Sequence, residues 1–389
     1  MMFTRVLLLI SALMANGMVY GAEPIIPAPP GIAAESYLLL DADTGKVIVE
    51  KNSDQRLPPA SLTKIMTSYI AAAEVERGVV SLEDAVDISV KAWQMEGSKM
   101  FVREGTKVKL GDLLRGVVIQ SGNDASVAVA EHVAGSEESF VDMMNQQASA
   151  LGMTDTHFVN ATGWPEENHY TTAADLSKLT VSLINDYPEH YALYKEKYFT
   201  FNNIRQPNRN SLLWRDSSVD GVKTGHTEAA GYCLVASAVR DGMRLVSVVL
   251  NTDSEEARAR ESQKLLTYGF RYYDTVHLYD ALESLKSVRI WGGARENLDL
   301  GVEENVVVTL PRGSRENLSA AMDIDTVIKA PVESGRTVGR LTVSLNDDVV
   351  YEGPLVALDN VEEAGFFSRI WDAIMLFFLQ LFGGDPLAL

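Results

Sequence analysis

The chain has 389 residues, and its 34 basic against 53 acidic side chains leave a net charge of −19, which argues against nucleic acid as a partner because phosphate binding needs a cationic footprint. With 46 % hydrophobic and 22 % charged residues there is ample material for a core, so disorder and coiled coil are poor descriptions, and the length suits two or three domains or one large domain with a satellite. The single cysteine, Cys233, excludes an intramolecular disulfide and removes cysteine clusters as zinc or iron–sulfur ligands.

The first 22 residues read as a secretory signal. Arg5 precedes a short apolar run over 6–14, and the small residues Gly21 and Ala22 offer a cleavage point; the alternative is a short anchor that stays attached. Either way the chain is exported, and without disulfides its stability must come from its core. After Pro24, Pro27, Pro29 and Pro30, alternating runs at 37–41 and 46–50 flank Asp43-Thr44-Gly45 and predict a β-hairpin. Pro58-Pro59 then precedes Ile65, Met66, Tyr69, Ile70 and Ala73 at helical spacing, which puts Ser61 at or near a helix N-terminus. Helical patterns follow at 110–120, 124–133, 139–151 and 172–183, strands at 221–225, 232–239 and 244–250, and a further helix at 255–270. From 288 to 361, short alternating runs split by Gly, Pro and Asn predict a small all-β module. The end of the chain, 365–382, sorts as a helix with Phe366, Phe367, Ile370, Trp371, Ile374, Phe377, Phe378, Leu381 and Phe382 on one half. Such a helix lies in a membrane interface or docks on the protein's own core, and the weight of terminal aromatics favours the interface. Glu362 and Glu363 before it read as a solvated tether.

The metal, nucleotide and lipase signatures HExxH, Walker loop, GxGxxG and GxSxG are all missing. Present instead, in order, are Ser61-Leu62-Thr63-Lys64, Ser121-Gly122-Asn123 and Lys223-Thr224-Gly225. Each element has a chemical use. Three residues apart on a helix, Ser61 and Lys64 share a face, so a neutral Lys64 amine can take the hydroxyl proton. Burial and a second cation, for which Lys223 is the candidate, favour that neutral form. A helix start also places the Ser61 N–H where an oxyanion develops. Ser121 can relay a proton between Lys64 and a leaving group, and the Asn123 amide can hold a substrate backbone. On a strand edge, Lys223 and Thr224 can bind a carboxylate while Gly225 lets a substrate chain approach. One SxxK is uninformative, and a second SxN occurs at Ser344-Leu345-Asn346; the order and the setting of all three carry the reading.

Pro59-Ala60-Ser61-Leu62-Thr63-Lys64, Ser121-Gly122-Asn123-Asp124-Ala125 and Asp220-Gly221-Val222-Lys223-Thr224-Gly225-His226-Thr227 resemble the low-molecular-mass penicillin-binding proteins that are D-alanyl-D-alanine carboxypeptidases, and the likeness extends over nearly the whole chain. It implies an α+β fold: a signal peptide at 1–22, a transpeptidase-like and β-lactamase-like catalytic domain at 23–285, a β-sandwich at 286–362 and an amphipathic membrane anchor at 363–389. The family's chemistry is serine acyl-enzyme hydrolysis, which implies catalytic Ser61, Lys64 and Ser121. Substrate binding would fall to Asn123, Lys223, Thr224 and Gly225. It also implies that the His226 N–H completes the oxyanion hole and that Arg209 and Arg258 serve the substrate's carboxylate end. The implied partners are the peptidoglycan stem peptide, β-lactams as covalent inhibitors and the membrane surface, with no cofactor, no metal and no nucleic acid, at the periplasmic face of a bacterial inner membrane.

A β-lactamase is the runner-up, although no ExxLN stretch supplies a deacylating glutamate; an endopeptidase and a non-catalytic wall-binding scaffold complete the alternatives. His132, His157, His169, His190 and His277 show no mutual spacing for a triad or metal and read as structural, and Cys233 as a small buried apolar residue. Trp93 and Met95 either line the cleft or pack.

Overall fold

The computed structural model describes residues 26–388, so the signal-peptide reading lies outside the described residues. The predicted hairpin forms from β1 (Ser36–Asp41) and β2 (Val47–Lys51), turned by Gly45 at φ +70°. Beyond the prolines, a single 3₁₀ turn over Ala60–Thr63 runs straight into α1 (Lys64–Glu76), which is buried almost all round. That burial explains its weak amphipathy: α1 is a central helix with no solvent face to mark. Around it gather β3 (Ala85–Asp87), α2 (Val90–Gln94), β4 (Lys107–Lys109), α3 (Leu110–Arg115), α4 (Asn123–Ala134), α5 (Glu137–Ala150), α6 (Ala173–Asp186) and α7 (Pro188–Tyr191). The sequence pattern read as one helix over 110–120 breaks at Gly116, where the chain widens into a π-helical turn ending at Ser121. Side-chain caps fix several starts: Ser136 accepts from the Ser139 N–H and Thr172 from the Asp175 N–H.

After the hairpin β5 (Tyr198–Phe201) and β6 (Ile204–Pro207) and a short α8 (Leu212–Arg215), three long strands follow: β7 (Val219–Thr227), β8 (Gly231–Arg240) and β9 (Met243–Thr252). With β1 and β2 they make an antiparallel sheet in the order β2-β1-β9-β8-β7, which leaves β7 at the edge. Successive side chains serve opposite faces. Leu38, Leu40, Val235 and Val246 pack with α1 and α6, whereas Leu39, Leu234, Ala236 and Leu245 pack against α9 (Glu255–Tyr272).

α9 leads without a loop into β10 (Tyr273–Tyr279), which pairs with β13 (Val306–Pro311). Half-buried except at the exposed His277, β10 lacks the alternation that marks the later strands, which is why it is silent in the sequence pattern. β11 (Lys286–Arg289), β12 (Asn297–Gly301), β14 (Leu318–Ile324), β15 (Thr337–Leu345) and β16 (Asp348–Ala357) form the second five-stranded sheet, in the order β11-β12-β16-β15-β14. The first sheet meets the β10–β13 pair at Asp41 of β1, whose buried carboxylate accepts hydrogen bonds from Thr275 (2.5 Å) and Thr309 (2.8 Å).

The segment read as a solvated tether is pinned instead. The Ala294 N–H donates to the Glu362 carbonyl and the Ala364 N–H to the Gly292 carbonyl, both at 2.8 Å, and Arg369 pairs with Glu363. The backbone groups of this segment are satisfied on the β domain, while the two carboxylates stay exposed to solvent. The final helix, α10 (Phe366–Leu381), sits on the same domain by its polar side, where Asp372 accepts from the Gly292 N–H at 2.8 Å. Its apolar side faces outward, with Phe367 85 % and Trp371 63 % exposed. Among the described residues no helix is long and apolar enough to cross a membrane.

Candidate active site

Ser61 lies in the 3₁₀ turn that precedes α1, one residue after Ala60 at φ +47°. Lys64, fully buried one helical turn on, directs Nζ to three oxygens: Ser61 Oγ at 3.1 Å, Asn123 Oδ1 at 2.7 Å and the Thr162 carbonyl at 2.5 Å. The other end of the Asn123 amide donates to the Glu96 carbonyl at 2.7 Å. Ser121 stands at φ +63°, a left-handed conformation that few non-glycine residues adopt, at the junction between the π-helical turn and α4. Its hydroxyl accepts from Lys223 Nζ at 2.8 Å, so within the site it is joined to the β7 lysine rather than to Lys64.

Burial pushes the Lys64 ammonium down to about 7, opposed by the charge of Asp124. Near neutral pH a large share of Lys64 is therefore the free amine that can accept a hydroxyl proton. Lys223 is held well below the usual lysine range by burial first, then by the cations Lys64, Arg209 and Arg258. Two buried amines under such mutual repulsion favour states with at least one of them neutral.

β7 brings Lys223, Thr224, Gly225 and His226 along the free edge of the sheet, facing the serine. A side chain at Gly225 would meet Pro59, Leu62 and Ala60 at 3.1 to 3.3 Å, so the close approach this glycine permits is to the protein's own serine turn. His226 is exposed and packs against Tyr232, with ring centroids 3.9 Å apart and the ring planes tilted by 38°. Arg258, on α9, is 5 % exposed and donates to the Gly225 carbonyl at 3.2 Å, bracing β7 from behind. Arg209 is exposed just after β6, near enough for its charge to act on Lys223. Nine of the ten residues singled out in the sequence thus converge on one cleft or on the strand that walls it, and Arg209 reaches the site through its charge.

In front of Ser61 the cleft holds a cavity of about 650 Å³ between Asn123, Trp164 and His226. Met95 faces a neighbouring groove on the far side of Trp164 and also packs against the core; Trp93 is 40 % exposed. Sequence reasoning missed the 160–165 segment. There Asn160 Oδ1 accepts from the N–H groups of Thr162, Gly163 and Trp164, an Asx turn that aims the Thr162 carbonyl at Lys64. Asn160 followed by Gly163 was the available signal. The histidines contribute to packing: His169 and His190 are both pushed down to about 4, chiefly by burial, and bond to Thr63 and Ser68 respectively. Cys233 is buried, and that burial raises its thiol to about 11.

A family model described as D-alanyl-D-alanine carboxypeptidase matches residues 23–254, and one described as penicillin-binding protein 5, C-terminal domain, matches 273–363. The chain is 44 % identical over 372 residues to the D-alanyl-D-alanine carboxypeptidase DacC of Escherichia coli (strain K12), covering 94 % of this chain and 93 % of the relative. It is 42 % identical over 369 residues to DacA of the same organism, covering 93 % and 92 %. Among solved structures it is similar to penicillin-binding protein 5 from Haemophilus influenzae, with TM-score 0.84 and 38 % identity over 87 % of this chain and all of that one. It is also similar to penicillin-binding protein D2 from Listeria monocytogenes in an ampicillin-bound form, with TM-score 0.58 and 28 % identity over 63 % of this chain and 100 % of that one.

Proposed function

The chain belongs to the D-alanyl-D-alanine carboxypeptidase family of serine peptidases, and from that premise we propose that Ser61 is the nucleophile, Lys64 its base and the Ser121–Lys223 pair its proton relay. The reaction is removal of the terminal D-alanine from peptidoglycan stem pentapeptides, and β-lactams acylate the same enzyme. Neutral Lys64 takes the Ser61 proton across 3.1 Å as Oγ attacks the carbonyl of the penultimate D-alanine. The oxyanion meets the backbone N–H groups of Ser61 and His226. Ser121, bonded to Lys223, hands its proton to the departing amine and is reprotonated by the Lys64 ammonium, so that D-alanine leaves and Lys64 is again the free amine. Lys64 then deprotonates the water that attacks the ester, and that proton returns to Ser61 Oγ as the acyl group departs. Lys223, Thr224 and Arg209 receive the substrate carboxylate, Asn123 the peptide backbone, and Arg258 holds β7 at Gly225.

The observation that carries this reading is a fully buried lysine with Nζ in contact with a serine hydroxyl at the mouth of a cleft. D-alanine release from a D-Ala-D-Ala-ending pentapeptide tests it, with Ser61→Ala alongside. Loss of both release and fluorescent-penicillin labelling in the variant is expected; release that persists overturns the assignment.

The finer placement belongs to the same proposal: division at 23–285, 286–362 and 363–389, and a peripheral position on the periplasmic face of the inner membrane. The outward apolar side of α10 supports the lipid contact. The charge of −19 supports the absence of a nucleic-acid partner.

A further inference from the structure

Directly after Asn123 comes Asp124, 1 % exposed, with no place in the chemistry above. Its Oδ1 accepts the N–H groups of Met100 (2.8 Å) and Ala125 (2.9 Å), and its Oδ2 those of Phe101 (2.8 Å) and Val102 (3.2 Å). Four backbone donors on one buried carboxylate is a clamp, with one jaw on α4 and the other on the 96–102 loop. The clamped loop is the one that orients Asn123: the Ser98 carbonyl accepts the Asn123 N–H at 2.7 Å and the Glu96 carbonyl its Nδ2–H at 2.7 Å. Phe101 is held at φ +69°, which an unrestrained non-glycine residue seldom adopts. Gly122 is small for the same reason, since a Cβ there would lie 2.8 Å from Asp124 Oδ1 and 3.1 Å from the Met100 nitrogen.

The clamp also carries charge. The charge acting on Lys64 is that of Asp124 from α4; Lys64 in turn acts on His169, from the loop before α6, and on Lys223 of β7, on which Arg209 and Arg258 act as well. Of these, only Asp124 is an anion. We propose that Asp124 is a positioning residue of the carboxypeptidase reaction: it fixes the cleft wall that orients Asn123, and its buried negative charge is the counter-charge of Lys64.

The inference rests on Lys64 acting as the base, so the experiment separates the two. kcat/KM for D-alanine release and the rate of penicillin acylation are measured against pH for wild type, Asp124→Asn, Asp124→Glu and Lys64→Arg. Removing the anion makes protonated Lys64 less stable, so the active free amine appears at lower pH. The acid limb of Asp124→Asn is expected to move down by ~0.5 unit or more while KM rises. Asp124→Glu keeps the charge and is expected to hold the limb in place while KM rises. An unmoved limb in folded Asp124→Asn, or a moved one in Asp124→Glu, overturns the proposal with the Lys64 assignment intact. Full activity with an unchanged limb in Lys64→Arg overturns the Lys64 assignment itself. If Asp124→Asn does not fold, hydrogen exchange in the wild type decides: Met100–Val102 amides as slow as those of α4 are expected, and exchange at loop rates refutes the clamp.

Discussion

Gly163 offers a severe test of how the serine turn is held. It sits at φ +81°, and a Cβ placed on it would lie 1.7 Å from the Ala60 carbonyl oxygen, 2.3 Å from that carbon and 3.0 Å from the Ser61 nitrogen. Gly163→Ala must therefore part the 160–165 segment from the serine turn by about 1.3 Å to reach the 3.0 Å closest approach that real Cβ atoms show. That shift is large against the two contacts it disturbs, the 2.5 Å bond from Lys64 to the Thr162 carbonyl next door and the position of the Ser61 N–H. A misplacement of roughly 1 Å costs on the order of 100-fold in rate, or about 2.7 kcal/mol of barrier. The left-handed backbone adds a stability cost of about 1–2 kcal/mol for alanine. Steady-state D-alanine release and penicillin acylation should fall together by that factor, with a lowered Tm. Acylation within twofold of wild type in a protein of unchanged Tm would refute the reasoning.

Lys64→Met should abolish activity yet gain stability relative to wild type, most at low pH. With its native-state pKa pushed down to about 7 from 10.5, Lys64 opposes folding fully below pH 7, and that cost fades as pH rises toward 10.5. Chemical denaturation at pH 6 and pH 9 checks it; a stability difference that does not shrink between them sinks the prediction. Arg209 and Arg258 should part company: exposed Arg209→Ala should raise KM by roughly tenfold with Tm unchanged, whereas Arg258→Ala, emptying a buried bond to Gly225, should lower both kcat/KM and Tm. Equal Tm values for the two variants would contradict the bracing role. Truncation before Gly365 should end co-sedimentation with anionic lipid vesicles while leaving hydrolysis of a soluble pentapeptide unchanged; a truncated protein that still pellets refutes the lipid contact through α10.

Alternation and helical spacing are local, so the hairpin of β1 and β2, the long strands β7 to β9 and the helices α4, α5, α6 and α9 are legible to within a few residues. The pairing of Ser61 with Lys64 is legible for the same reason, because three residues along a helix already bring two side chains together. The two-sidedness of α10 follows equally from its own periodicity, but that its polar side docks and its apolar side faces outward does not. What the chain does not declare is carried by backbone atoms and by long separations. Lys64 meets Asn123 across 59 residues and Thr162 across 98, and Lys223 meets Ser121 across 102. Motif order supplies the side chains of that list but not the Thr162 carbonyl, since a carbonyl group has no residue type to recognise.

Residue identity and short spacing carry the order of the chemical groups and the amphipathic end, and the resemblance of the three motifs carries the reaction class. Long-range packing settles that Ser121 joins Lys223, that Gly225 clears the serine turn, that the backbone at Glu362 and Ala364 is pinned to the β domain, and that Asp124 grips the cleft wall. Each of those is a competition for buried hydrogen-bond partners or for space, and its outcome depends on which distant segment the fold places within about 3 Å.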